Sequence, residues 1–381
     1  MENFVAFNPT KIFFGSNALN KLSKNASKLG KKALVLFGKN SAKKYGYIQI
    51  VEKFLEHANV EFCEFGGIKP NPIVDDVQKA VEFCKQNNVD FIIGVGGGSV
   101  IDSAKIIALA YSNDADPWDI MTDKYICTKC IPIVAVLTMA ATGTEMNPFA
   151  VIQNHKTHQK IGFYSELIFP VQSYLDPSFT ITVPKNQTAF GIADIVAHSL
   201  EAYFACGQAQ LSDQLVGGLL REVFEVAPLL IKDLENIDYR ARIMWASTVA
   251  LNGTLYGGRK SSGDWGVHSI GHVVSYLFDT PHGATLSITY PAWMKQLKPK
   301  ITERLEKLGF LITGKKTSAD ATISLFEKFF KSIGCPIRLE EIEICVADLP
   351  NIKQYIINTN ANGMCWELND DDINGILNYM L

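Results

Sequence analysis

Up to Pro184 the chain alternates short apolar runs with amphipathic stretches, and from Ala189 onward strand-like runs nearly vanish. Strand, helix and strand at that rhythm imply a parallel sheet, because parallel neighbours are joined only by long crossovers. Ala33-Leu34-Val35-Leu36-Phe37 reads as a buried strand, followed by the turn Gly38-Lys39-Asn40 and an amphipathic helix from Tyr47 to His57. Val60 to Phe65 reads as a second strand, and Asn71-Pro72 opens a helix from Ile73 to Gln86, with Asn71 as N-cap and Pro72 at the first helical position. A third strand, Phe91 to Val95, runs through Gly96-Gly97-Gly98-Ser99 into a helix from Val100 to Tyr111. The strand Ile131 to Leu137 then ends in a loop of small and polar residues, Thr138 to Asn147.

A chain of 381 residues exceeds what one hydrophobic core usually supports. The change of texture places the boundary near Pro184, giving an α/β domain over residues 1–184 and an all-helical domain over 185–381. Asn369-Asp370-Asp371-Asp372 reads as a helix start rather than an acidic tail.

The net charge of -3 gives no electrostatic reason to expect nucleic acid or an anionic membrane surface as a partner. No apolar run approaches the roughly 20 residues of a spanning helix, and the N-terminus lacks a secretory pattern, so a cytoplasmic location is expected. The eight cysteines are scattered, and a chain this long needs no disulfide framework. Cys127 and Cys130 form a CxxC without the second pair that a zinc ribbon requires.

Three successive glycines between a strand and a helix let the backbone approach a diphosphate and aim N–H groups at it. A tight turn without a ligand would look alike, and Ser99-x-x-Asp102 also fits a capping box. A second cluster lies in the helical half. Asp194 and His198 stand four apart and share a helix face, His268 and His272 repeat that spacing, and His282 follows shortly. Burying such groups in apolar surroundings is costly unless they share a partner, so one divalent ion is expected among them. Mixed oxygen and nitrogen ligands suit Fe2+, Zn2+, Ni2+ or Mn2+. His272 could ligate, or serve as a proton relay.

These residues resemble the iron-containing (group III) alcohol dehydrogenases, and more closely their butanol dehydrogenase and broad-range aldehyde reductase branch. The resemblance spans essentially the whole chain. It is carried by Gly96-Gly97-Gly98-Ser99-x-x-Asp102, Thr138-x-x-x-Thr142-Gly143-Thr144-Glu145, Asp194-x-x-x-His198, Asp264-Trp265-x-x-His268-x-x-x-His272 and His282-Gly283. It implies that Asp194, His198, His268 and His282 bind the metal, Fe2+ first among the candidates, and that His272 faces the nicotinamide. The glycine turn with Asp102, Asn71, Thr138, Thr142, Thr144 and Lys160 would contact the cofactor, and a homodimer is the expected assembly.

NAD-preferring relatives carry an acidic residue at the end of the first strand, where this chain has Gly38, with Lys39, Asn40, Ser41, Lys43 and Lys44 close behind. A 2′-phosphate would meet donors and positive charge there, which favours NADP(H) over NAD(H). The expected substrates are small or medium aliphatic alcohols and aldehydes, with Phe149, Leu255 and Trp265 as candidate apolar lining. A glycerol or polyol dehydrogenase, a dehydroquinate synthase-like cyclase and a non-catalytic cofactor-binding protein are the alternatives. The cyclases typically have glutamate where Asp194 stands.

Overall fold

The computed structural model describes all 381 residues, which form two compact units: Phe7–Val183, and Pro184–Leu381 together with Met1–Ala6. The first holds strands β1 (Lys11–Phe14), β2 (Lys32–Gly38), β3 (Glu61–Ile68), β4 (Phe91–Gly96), β5 (Ile133–Leu137), β6 (Phe149–Asn154), β7 (Gln159–Tyr164) and β8 (Gln172–Leu175). Its helices are α1 (Leu22–Asn25), α2 (Ser41–Lys44), α3 (Tyr47–His57), α4 (Val74–Asn87), α5 (Gly98–Asn113) and α6 (Pro117–Met121).

Six strands form a parallel sheet in the order β1-β8-β5-β4-β2-β3. The central strands are apolar on both faces because helices cover both. Leu34, Leu36 and Ile92 face a core shared with α4 and α5, while Ala33, Val35, Phe37, Phe91 and Ile93 face one shared with α3. The chain order reverses between β2 and β4, so their carboxyl ends flank the point where open sheets of this kind leave a crevice.

Two strands at the first edge and the β6–β7 hairpin lie outside the sequence expectation. β1 and β8 have only four residues each, too few to show a period, and the glycine turn therefore follows the fourth strand rather than the third. Two helix caps also differ. Helix α4 begins at Val74 with Ile73 at the N-cap, and Asn71 lies upstream in the left-handed region at φ 52°. Helix α5 is capped by Gly97 without a side-chain bond, so Ser99 and Asp102 form no capping box.

The second unit contains α7 (Lys185–Phe204), α8 (Gln210–Lys232), α9 (Ile237–Leu251), α10 (Gly266–Phe278), α11 (His282–Thr313, broken at Ile301), α12 (Ala319–Ser332), α13 (Leu349–Asn358) and α14 (Asp370–Met380). Helix α7 is buried on all sides from Gly191 to Phe204, packed by α8, α9 and α11. A helix enclosed in this way must be apolar all round, which makes its few charged residues conspicuous. At the far end Asn369 caps α14, accepting from the backbone N–H groups of Asp371 and Asp372, both at 2.9 Å, in a capping box with Asp372.

One pair of cysteines departs from the expected absence of disulfides. Cys206, just beyond α7, is bonded to Cys365, 159 residues away. The loop before α14 returns to the end of α7, which brings the two together irrespective of chain length. Cys127 and Cys130 remain free thiols, and burial pushes Cys130 up to about 12.

Candidate metal and cofactor sites

Asp194, His198 and Glu201 occupy one face of α7 at spacings of four and three. Helix α10 supplies His268, and His282 is the first residue of α11. The helices can converge because of Gly283. A Cβ at that position would lie 2.0 Å from the carbonyl oxygen of Phe190 on α7, so only glycine allows α11 to start against that backbone.

The result is a convergence on one oxygen. The Nε2 atoms of His198, His268 and His282 lie 3.7, 3.7 and 3.8 Å from Asp194 Oδ1. Ligand atoms of Asp194, His268 and His282 all fall within 4.8 Å of one another, and the His198 ring stacks on His268 with centroids 4.8 Å apart. Asp194, His198 and His268 are at most 5% exposed, and His268 Nε2 is buried without a hydrogen-bond partner. Leaving an imidazole nitrogen dry beside a carboxylate is costly unless a cation joins them, and one carboxylate with three imidazoles suits a first-row divalent ion.

Glu201 completes the arrangement and was not singled out by the sequence. Its Oε1 accepts from His268 Nδ1 at 2.7 Å, and the carboxylate also takes the backbone N–H of Trp265 and of His268. A carboxylate accepts from Nδ1, so Nδ1 keeps its proton and Nε2 is the nitrogen that faces Asp194, where a second proton or a cation in its place can sit. The signal was available as a third polar residue on the apolar face of α7, seven positions after Asp194.

Proton affinities diverge within the cluster. Burial pushes His198 down to about 4 against the pull of Asp194. Burial acts in the same direction on His268, but the carboxylates of Asp194 and Glu201 on either side of its ring overcome it and hold His268 up at about 9. His268 thus sits between two carboxylates, where a positive charge is favoured.

His272 lies one turn beyond His268 and is half-buried, with its ring 5.0 Å from His282 and 6.5 Å from His268. It borders the constellation and, like His198, lies outside the three residues whose ligand atoms all fall within 4.8 Å of one another, whereas His198 Nε2 faces Asp194 Oδ1. Trp265 packs its ring edge-on near His268, at 5.2 Å, whereas Leu255 is buried in the core. Asp264 is structural. Its Oδ1 accepts from the N–H groups of Cys365 and Trp366, both at 2.9 Å, and burial pushes its carboxyl up to about 6.

The residues expected at the cofactor gather in the α/β unit. Gly38 ends β2, Gly96 ends β4 and Thr138 follows β5, three adjacent strands, and Thr138 N donates to Gly96 O at 3.0 Å. Lys39, Asn40 and Ser41 lead from β2 into α2, and Gly97, Gly98 and Ser99 form the entry of α5. The loop presses on this entry: a Cβ at Gly98 would lie 2.7 Å from Thr142 Cγ2. Asn71 and Lys160, 89 residues apart, are joined by a 2.8 Å bond from Lys160 Nζ to Asn71 Oδ1. Asp102 and Thr144 turn inward instead. Thr144 Oγ1 donates to Asp102 Oδ1 at 2.6 Å, and Asp102 Oδ2 accepts from Val151 N at 3.0 Å. Phe149 lies on β6 beside Tyr164.

Known family profiles match both halves of the chain. A profile of iron-containing alcohol dehydrogenases matches residues 9–177, and one of the C-terminal domain of the Fe-containing alcohol dehydrogenase family matches residues 188–381. The chain belongs to the iron-containing alcohol dehydrogenase family. Among its relatives, a probable NADH-dependent butanol dehydrogenase of Bacillus subtilis is 39% identical, with all of both chains covered. The NADPH-dependent aldehyde reductase YqhD of Escherichia coli is 35% identical over 93% of each chain. The crystal structure of the NADH-dependent butanol dehydrogenase A of Thermotoga maritima superposes on this iron-containing alcohol dehydrogenase fold with a TM-score of 0.95, at 37% identity, covering 100% of this chain and 99% of that one.

Proposed function

We propose that the protein is a metal-dependent oxidoreductase that exchanges hydride between NADP(H) and small or medium aliphatic aldehydes and alcohols, with Asp194, His198, His268 and His282 holding one divalent ion, Fe2+ first among the candidates. The observation that carries this reading is the meeting of three imidazole nitrogens at a single buried carboxylate oxygen. The ion supplies Lewis-acid stabilisation of charge on the substrate oxygen, and the nicotinamide supplies or accepts the hydride.

The chain's own residues prepare the site. Glu201 holds the proton on His268 Nδ1 and fixes the plane of that ring. His272, beside the ligand set and half-buried, relays the proton that the alkoxide requires. Gly38, Lys39, Asn40, Ser41, the turn Gly96 to Ser99, Asn71, Thr138, Thr142 and Lys160 form the dinucleotide site, while Asp102 and Thr144 brace it from within.

Preference for NADP(H) is supported by the absence of a carboxylate at the end of β2, where Gly38 and Lys39 stand. Lys43 contributes less than its charge implies, because it is paired with Glu64 at 2.6 Å. Relatives of both cofactor preferences exist, so the choice rests on this local chemistry. The ratio of kcat/KM with NADPH to that with NADH tests it, and a clear NADH preference would overturn it. We also infer a cytoplasmic homodimer from the family resemblance; no helix is long and apolar enough to cross a membrane. Sedimentation would give the assembly.

NADPH oxidation with a panel of aldehydes tests the reaction, and no aldehyde-dependent turnover with any divalent metal would reject it. For His272 the informative variant is His272→Ala. Unchanged rate and pH dependence with the metal still bound would remove it from the mechanism.

A further inference from the structure

Cys206 and Cys365 play no part in the chemistry described above, yet their bond lies where the supports of the histidine cluster meet. Cys206 stands two residues past the end of α7, the helix of Asp194, His198 and Glu201, and Cys365 lies in the segment 359–369 between α13 and α14. That segment is fastened to Asp264, whose own N–H donates to Glu201 O at 3.3 Å. Asp264 O accepts from Met364 N at 2.7 Å, and Asp264 Oδ1 from Cys365 N and Trp366 N. Asp264 Oδ2 accepts at 3.3 Å from the N–H of Gly266, the first residue of α10, and Trp366 Nε1 donates back to Phe204 O at 2.9 Å. One short segment thus ties the last turn of α7 to the start of the helix that presents His268 and His272.

The bond is open to attack. Both cysteines are partly exposed, and Gly207, Gln208 and Met364 beside them are exposed. The two sulfurs are unequal. Cys206 N donates to Cys365 Sγ at 2.7 Å, and Ser261 Oγ lies 3.2 Å from the same sulfur, able to turn toward it the proton it gives to Gly263 O at 2.9 Å. Donors gathered at one sulfur stabilise negative charge there, so Cys365 is the better leaving group and Cys206 the sulfur that is attacked. Disulfides exposed in this way are the ones that exchange, in contrast to buried structural ones.

We propose that the Cys206–Cys365 pair is a reversible modification site for low-molecular-weight thiols, and that its closed form braces the start of α10 against the end of α7. The thiolate of an incoming thiol attacks Cys206 Sγ. A new sulfur–sulfur bond forms there, the Cys206–Cys365 bond breaks, and its electron pair goes to Cys365 Sγ, which takes a proton from solvent. A second thiol then attacks the added sulfur and releases Cys206, so two thiols are oxidised to their disulfide as both cysteines are reduced. Opening the pair removes a link between residues 159 apart and leaves the segment 359–369 held by its bonds to Asp264 and Phe204 alone. The exchange stands apart from the metal assignment made above, and only its consequence for the ion rests on that assignment.

The test uses metal-loaded wild type and Cys206→Ser, each equilibrated at neutral pH in reduced or in oxidised glutathione, then acid-quenched, alkylated and read by peptide mass. In oxidised glutathione the peptides of Cys206 and Cys365 should be linked. In reduced glutathione both should be alkylated, with the early glutathione adduct on Cys206. Reduction should lower the wild-type Tm by about 5 °C or more and speed release of the ion to a chelator several-fold. Cys206→Ser should match the reduced wild type in both and ignore the buffer. A pair that stays open in oxidised glutathione or closed in reduced glutathione, or an early adduct on Cys365, would overturn the exchange. Equal Tm and equal metal release in the two states of the wild type would overturn the brace, and that comparison decides even should Cys206→Ser not fold. Exchange with the expected loss of Tm in protein that retains no metal in either state is a different outcome, which rejects the metal assignment and upholds the thiol site.

Discussion

The two candidate sites are built by opposite means. In the α/β unit the candidate cofactor surface is largely backbone, at the ends of β2, β4 and β5, and its demands fall on residues that lack side chains, such as Gly98 beneath Thr142. In the helical unit the candidate surface is all side chain, with the Nε2 atoms of His198, His268 and His282, from α7, α10 and α11, facing Asp194 Oδ1. A backbone site is damaged by adding atoms, whereas a side-chain site is damaged by removing them.

The largest expected effect comes from Asp194→Ala. Loss of the oxygen around which the imidazoles gather should abolish metal retention and lower aldehyde-dependent NADPH oxidation by about a thousandfold or more, since the ion contributes several kcal/mol of charge stabilisation. NADPH binding, followed by fluorescence, should survive, which separates the two sites. Loss of NADPH binding in this variant would merge them.

Gly98→Val supplies the converse. Added carbons 2.7 Å from Thr142 must displace the loop, and we expect KM for NADPH to rise by about tenfold or more at full metal content, the effect of overpacking by about 1–3 kcal/mol. Metal analysis and steady-state kinetics on one preparation would check both halves.

Glu201→Gln sharpens the account of the helical site. The amide keeps the shape of the side chain but loses the charge that holds the proton on His268 Nδ1. Metal affinity should fall about 10- to 100-fold, read from competition with a chelator, and unaltered affinity would show Glu201 to be only a structural tie. A smaller effect is expected from Gly38→Asp. A carboxylate at the end of β2 should shift the NADPH to NADH ratio of kcat/KM by about tenfold toward NADH, roughly the worth of one charged hydrogen bond.

The same contrast explains what the sequence made legible. The buried strands and the helix Tyr47–His57 were readable because apolar periodicity is local, and Asp194 and His198 because four residues is one helical turn. The cost of burying several imidazoles in apolar surroundings joined His268 and His282 to them, and the resemblance, rather than spacing, set His272 apart. Three features were hidden because they depend on contacts between distant segments. Lys105 reads as an ordinary helical lysine until the loop some forty residues later is folded over it. Asn71 reads as a cap until Lys160 reaches it from β7. Cys206 and Cys365 read as unrelated until the segment before α14 returns to the end of α7. The assignment of Asp102 to the cofactor now sits beside a different observation, since its carboxylate is occupied by Thr144 and Val151.

The central claim is that one divalent ion, held by Asp194, His198, His268 and His282, is required for hydride transfer with NADPH. Its most direct test is turnover of butanal by protein stripped with a chelator, then titrated anaerobically with Fe2+ and separately with Zn2+, Ni2+ and Mn2+. The account predicts negligible activity in the stripped protein, with recovery that saturates at one ion per chain for at least one metal. Full turnover by protein shown to contain no metal would contradict it.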